Sequence, residues 1–174
     1  MKISTVNEKR IRVICTVLFA ILSAAWMGVI FGFSADTAEV SASQSGSVTK
    51  FVLSIFVKNF GNLPYEESAL LIDKYDPIIR KLAHFAAYAV LGVLTYLAFG
   101  SAKQIPRYAL KPCALSIPVC VLFSVSDEIH QIFVDGRAGR LYDVVIDSAG
   151  AVTGTALVIC MLRLVFKREK QQKS

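Results

Sequence analysis

Four apolar runs, at about 11–33, 80–100, 108–128 and 143–166, constrain this chain more than any other feature. A membrane-crossing helix needs about 20 mostly apolar residues, and each run reaches that length, the third with the least margin. The first carries one charge, Arg12, at its start. From Leu82 onward, the second has His84 as its only ionisable side chain. Lys111 and two prolines mark the third. The fourth has Asp143 and Asp147 at one end and Arg163 at the other. The predicted fold is all-α: one polytopic membrane domain over residues 1–174, with four transmembrane helices. With 174 residues, 55% of them hydrophobic and 18% charged, the chain lies outside ordinary soluble composition and has no room for a second domain.

The first run opens on Lys9, Arg10 and Arg12 and contains Ser23, Ala24 and Ala25, features that also suit a signal peptide. The apolar sequence continues through Trp26 to Phe33, longer than a signal core, so an uncleaved anchor is expected. Basic residues then set the orientation. With both termini inside, the inner side holds Lys2, Lys9, Arg10, Arg12, Lys103, Arg107, Lys111, Arg163, Lys167, Arg168, Lys170 and Lys173, but only Glu8 and Glu169 among the acids. That bias predicts a multi-pass protein of the cytoplasmic (inner) membrane with its polar cluster outside. The net charge of +6 then needs no nucleic-acid partner; the basic tails suit anionic membrane lipids. Cys15, Cys113, Cys120 and Cys160 all fall within apolar spans, without metal-ligand spacing, and read as small buried hydrophobes.

Between the first two spans, Ser34 to Lys50 reads as a polar loop. Phe51, Ile55 and Phe60, set against Lys50, Ser54 and Lys58, predict a short amphipathic helix on the outer surface. Gly61-Asn62-Leu63-Pro64 should break it, and YEESALLIDKYD should form a second short helix before Pro77.

Between the last two spans, SDEIHQIFVDGRAGRLYDVVID (126–147) brings five carboxylates, two arginines and a histidine up against hydrocarbon. Ionised groups there are costly, so such clusters carry a functional expectation. At helical rise His84 lies about 27 Å from Lys103, Asp127 about 22 Å from Lys111, and Asp147 about 22 Å from Arg163. Against a hydrocarbon core of roughly 30 Å, three helices thus bring polar groups to a similar outer depth, which predicts a shared pocket.

Arg80, His84 and Tyr88 fall at i, i+4 and i+8 on one helix face, beside the small residues Ala83, Ala87 and Gly92. Asp127, His130 and Gln131 can share a face while Glu128 points elsewhere. These acids and histidines can share a proton or hold a metal, but their spacing matches no metal signature; neither metal nor cofactor is expected. The alternative is an ion-paired helix cap. In GRAGR, Arg137 and Arg140 offer guanidinium forks next to a glycine turn, suited either to an anion or to an internal network with Asp135, Asp143 and Asp147. Asp143 and Asp147 open the last helix on one face, which continues as Gly150-x-x-x-Gly154. Arg80 and His84 should therefore meet Asp127, His130, Asp143 and Asp147, with Arg137 and Arg140 closing the mouth.

WMGVIFGFS with the serine-rich loop after it, IRKLAHFAAYAVLG, and SDEIHQIFVDGRAGRLYDVVIDSAGAVTG follow one another in an order that resembles the VanZ-like family of small bacterial membrane proteins. The resemblance implies several spans and an association with tolerance of glycopeptide antibiotics, particularly teicoplanin. The family's polar signature falls on Arg80, Lys81, His84, Tyr88, Asp127, Glu128, His130, Gln131, Arg137, Asp143, Asp147 and Gly150. It names no reaction. The expected function is a cell-envelope protein whose outward polar site binds an anionic lipid or cell-wall intermediate. Arg80, Lys81, Tyr88, Gln131, Arg137, Arg140 and Asp143 would serve as ligand-binding residues. The alternative is a membrane enzyme acting on a lipid or polyprenyl-phosphate headgroup, drawing its catalytic groups from His84, Asp127, Glu128, His130 and Asp147.

Overall fold

The computed structural model describes residues 2–102 and 110–172. Its helices are α1 (Lys2–Ser34), α2 (Ala38–Phe56), α3 (Tyr65–Ala102), α4 (Cys113–Gln131) and α5 (Leu141–Gln172), with a 3₁₀ turn at Phe60–Asn62. Four of them, all but α2, are long and apolar enough to cross a membrane. Lys103, Arg107, Lys173 and the first residues of the expected third span, Tyr108 and Ala109, lie outside the described residues.

Two expectations for the segment between the first spans need correction. The polar stretch after Ser34 is helical from Ala38. Thr37 caps it, accepting from Val40 N–H, and Glu39 sits in its first turn, where negative charge is favourable. Its serines do not compete with the helix because Ser45 and Ser47 return their hydroxyls to the Ser41 and Ser43 carbonyls. The helix nevertheless ends before the expected Gly61–Pro64 break. The second correction concerns residues 65–76, which form no separate short helix; α3 runs on through Pro77 as 38 residues, about 57 Å at helical rise. Proline costs a helix one hydrogen bond and a clash with an earlier carbonyl. Tertiary contacts compensate: Asp76, just before it, accepts from Ser45 (3.0 Å), Thr49 (2.9 Å) and Arg80 (2.6 Å), which ties α2 across the proline turn. Thr49 and Leu53 form the buried face of α2, while Phe51, Ile55 and Phe56 point outward, as an interfacial helix requires.

α3 is the central helix and packs against the other four. Its contact with α5 depends on small residues. A Cβ on Gly150 or Gly154 would fall on the Phe85 or Ala89 carbonyl, and one on Gly92 would fall on that of Ala151, so the helices meet backbone to backbone. Thr155 seals this seam by donating to the Gly92 carbonyl at 3.2 Å. On the other flank Trp26 Nε1 donates to the Ala87 carbonyl at 2.8 Å, which joins α1 to α3. Ile30, Tyr88, Leu91, Cys120 and Ala151 form the core where the helices converge. This close crossing brings the ends of α1 and α4, the start of α5 and the middle of α3 to one place, where the charged groups gather.

Candidate functional site

Residues 132–140 turn the chain from α4 into α5, and their backbone geometry builds one wall of the site. Gly136 adopts φ +73°, a conformation that favours glycine, and a Cβ there would lie 2.9 Å from that of Ala38. The Asp135 carbonyl accepts from Ala38 N–H at 3.2 Å, docking the turn on the start of α2. Arg137 then reaches back to the end of α1 and the turn after it, with Nη2 donating to the Phe33 carbonyl (3.3 Å) and Nε to that of Asp36 (3.1 Å). A cation on the last carbonyls of a helix is favourably placed. At the other end of the turn, Glu128 accepts from Arg140 N–H at 2.7 Å and so caps α5.

The result is a cleft of about 310 Å³ lined by Arg80, Lys81 and His84 of α3, Glu128 and Gln131 of α4, Arg137 and Arg140 of the turn, and Asp143 and Asp147 of α5. Nine of the residues singled out from sequence thus share one cavity. Their pairing differs from expectation. Arg80 bonds Asp76 rather than a carboxylate of α4 or α5. Lys81 lies 3.3 Å from Asp143 and 4.4 Å from the centre of the Tyr142 ring. Asp147, wholly buried, accepts from Ser124 at 2.9 Å. Its other oxygen faces His84 Nδ1 across 4.0 Å, too far for a hydrogen bond, and has no hydrogen-bond partner among the described residues. The anticipated network through Asp135 is absent among the described residues, since its contribution is a backbone carbonyl.

Three expected members lie elsewhere. Asp127 is wholly buried against α1, accepting from Ser34 (2.7 Å) and Gln131 (3.5 Å). His130 stacks on Phe31 with ring centres 4.2 Å apart and does not meet Arg80 or His84. Tyr88 is buried in the core against Phe123. Helical register explains the exchange. The face of α4 carrying Asp127 and His130 turns to α1, so Glu128, expected to point away, turns with Gln131 to the cleft. Sequence reasoning passed over Asp76, Ser34, Ser124 and Thr49, which hold the charged groups from behind. Their signal was a hydroxyl or acid at a span end or within an apolar helix, too common to single out without knowing its partner.

Arg137 and Arg140 have no ion-pair partner among the described residues. Burial, and next the neighbouring Arg80 charge, push the Arg137 guanidinium down from its ordinary value. Cations from two directions therefore face a cavity whose floor holds a histidine and a carboxylate with unused hydrogen-bonding capacity. Such a cavity can take an anion that also carries a proton.

A helical bundle of four membrane-length helices around a charged cleft defines a multi-pass membrane protein with a polar pocket at one end of the bundle. The family model described as VanZ/LLP1 matches residues 19–165, and the chain belongs to that family. No curated protein and no solved structure matches it.

Proposed function

We propose that this protein binds the anionic headgroup of an envelope lipid or lipid-linked cell-wall intermediate in the cleft between α3, α4 and α5, and through it influences susceptibility to glycopeptide antibiotics such as teicoplanin. In this reading the chain sits in the cytoplasmic membrane with both termini inside and the cleft facing outward, a reading the distribution of basic residues supports. One observation carries the proposal: Arg137 and Arg140 line the cleft without carboxylate partners among the described residues, beside Arg80 and Lys81, whose charges are already paired. Guanidinium forks suit phosphate oxygens.

Arg140 provides the clean test because its side chain is exposed and its structural contact with Glu128 is made by the backbone. Arg140→Ala should weaken binding of an anionic lipid by tenfold or more, since one charge-assisted hydrogen bond is worth ~1.5–3 kcal/mol, and leave thermal stability unchanged. Native mass spectrometry of protein in zwitterionic nanodiscs titrated with dodecyl phosphate reads both affinity and stoichiometry. Equal binding by wild type and the Arg140→Ala/Lys81→Ala double variant would sink the proposal.

A second reading rests on the His84–Asp147 pair. A carboxylate held by Ser124 and turned towards an imidazole is the arrangement a general acid or base uses. A bound phosphate ester would then be a substrate. Lipid extracts from deletion and overexpression strains separate the two readings: a changed headgroup marks an enzyme, and unchanged lipids with altered drug binding mark a binder.

A further inference from the structure

Beside the polar cleft, a groove of about 320 Å³ runs between α1, α2 and α3. Trp26, Val29 and Phe33 form one side of it and Ile79, Ala83 and Ala87 the other, with α2 from Ser41 to Val48 along the third. The Trp26 indole N–H is already bonded to the Ala87 carbonyl, so the ring offers the groove an apolar surface. Three residues, Arg80, His84 and Arg137, line both cavities. The two spaces therefore adjoin at these side chains, the cleft lined by charged groups and the groove by apolar residues of α1 and α3 with Ser41, Gln44 and Ser45 on its α2 wall.

We infer that this groove seats the hydrocarbon chain of the same lipid whose phosphate-type headgroup occupies the cleft, so the ligand class is a membrane lipid and not a water-soluble anion. The inference rests on the headgroup reading above and adds the position of the chain. Charge complementarity orients the molecule: the anion lies toward Arg137, Arg140 and Lys81, and the chain must leave past Arg80 and His84. At about 30 Å³ per water-sized group, the groove holds roughly ten chain atoms, the front part of a single chain. α2 forms its third wall because Asp76 latches that helix to α3, which gives a three-sided groove open along its outer side, where Val29, Phe33 and Val48 are exposed. Pockets of this kind, mostly apolar with a few placed polar groups at one end, are the usual form of small-molecule sites.

The test uses the full chain in phosphatidylcholine nanodiscs with dodecyl phosphate carrying a diazirine at mid-chain. After illumination, adducts are mapped by peptide mass spectrometry. Adducts at Val29, Phe33 or Ala83 should exceed those at Leu157 and Met161, on the exposed face of α5, by at least tenfold, and excess unlabelled dodecyl phosphate should remove them. Ala83→Phe fills the groove from an exposed position and should lower these adducts tenfold; Val48→Trp does the same from α2 should the first variant fold poorly. Even labelling of both faces, with saturable binding of dodecyl phosphate intact by native mass spectrometry, would overturn the groove and leave the headgroup reading standing. Absence of saturable binding would overturn both.

Discussion

At the scale of single residues, the polar end of this bundle works by division of labour. Some charged side chains are structural: Asp76 latches α2, Glu128 caps α5, and Asp127 ties the end of α1 to α4. The Asp127 carboxylate is wholly buried, and its short bond comes from Ser34. Removing that donor leaves a buried carboxyl oxygen with only the longer Gln131 contact, at a cost of about 1–3 kcal/mol. Ser34→Ala should therefore lower the unfolding temperature in detergent by roughly 2–4 °C per kcal/mol lost. Asp127→Asn, whose amide oxygen still accepts from Ser34, should sit close to wild type. A melt showing the reverse order would mean that the charge, and not the hydrogen bond, holds α1 in place. Arg137 combines two roles, because its guanidinium holds the Phe33 carbonyl of α1 and the Asp36 carbonyl just beyond it, and lines both cavities. Its replacement would confuse stability with binding, which is why Arg140 and Lys81 serve as the binding probes.

At the scale of elements, the α3–α5 seam decides whether the cleft exists at all. His84 and Asp147 face each other because Gly150 and Gly154 let α5 lie against the α3 backbone at Phe85 and Ala89. Overpacking such a contact costs about 1–3 kcal/mol or more, and here a side chain would meet carbonyl oxygens that cannot move aside. Gly154→Leu should lower the yield of monodisperse protein severalfold and abolish ligand binding. Gly28→Ala, at a position in α1 with open space around it, should leave both unchanged. Size-exclusion profiles of the two variants purified in parallel would settle the matter; a well-folded Gly154→Leu protein would contradict the backbone contact.

For the whole molecule, the proposed orientation places the 132–140 turn and the Phe60–Asn62 turn on the same outer face and the end of α5 inside. In a background with the four native cysteines replaced, Gly61→Cys and Asp135→Cys should react with a membrane-impermeant maleimide on intact cells. Lys167→Cys should react only after permeabilisation. Labelling of Lys167→Cys from outside would invert the topology and point the cleft to the cytoplasm, where the lipid-linked intermediates it met would be those of the inner leaflet.

The number of membrane-length helices was legible in the sequence because hydrocarbon thickness demands about 20 apolar residues per crossing, a requirement independent of what each helix touches. The small-residue face at Gly150 and Gly154 was legible too, from its four-residue spacing. What lay beyond reach was azimuth and partner. Adjacent helical residues differ by about 100° around the axis, so whether α4 turns Asp127 and His130 or Glu128 and Gln131 into the cleft depends on where α1 and α5 pack around it. Likewise nothing local distinguishes residues 34–50 as loop or helix, or Pro77 as a break or a passage. Both were decided by Ser45 and Thr49 of α2 meeting Asp76 of α3, about 30 residues away along the chain. Local hydropathy determines which segments enter the membrane; only the assembled bundle determines which charges face each other and which remain free to meet a ligand.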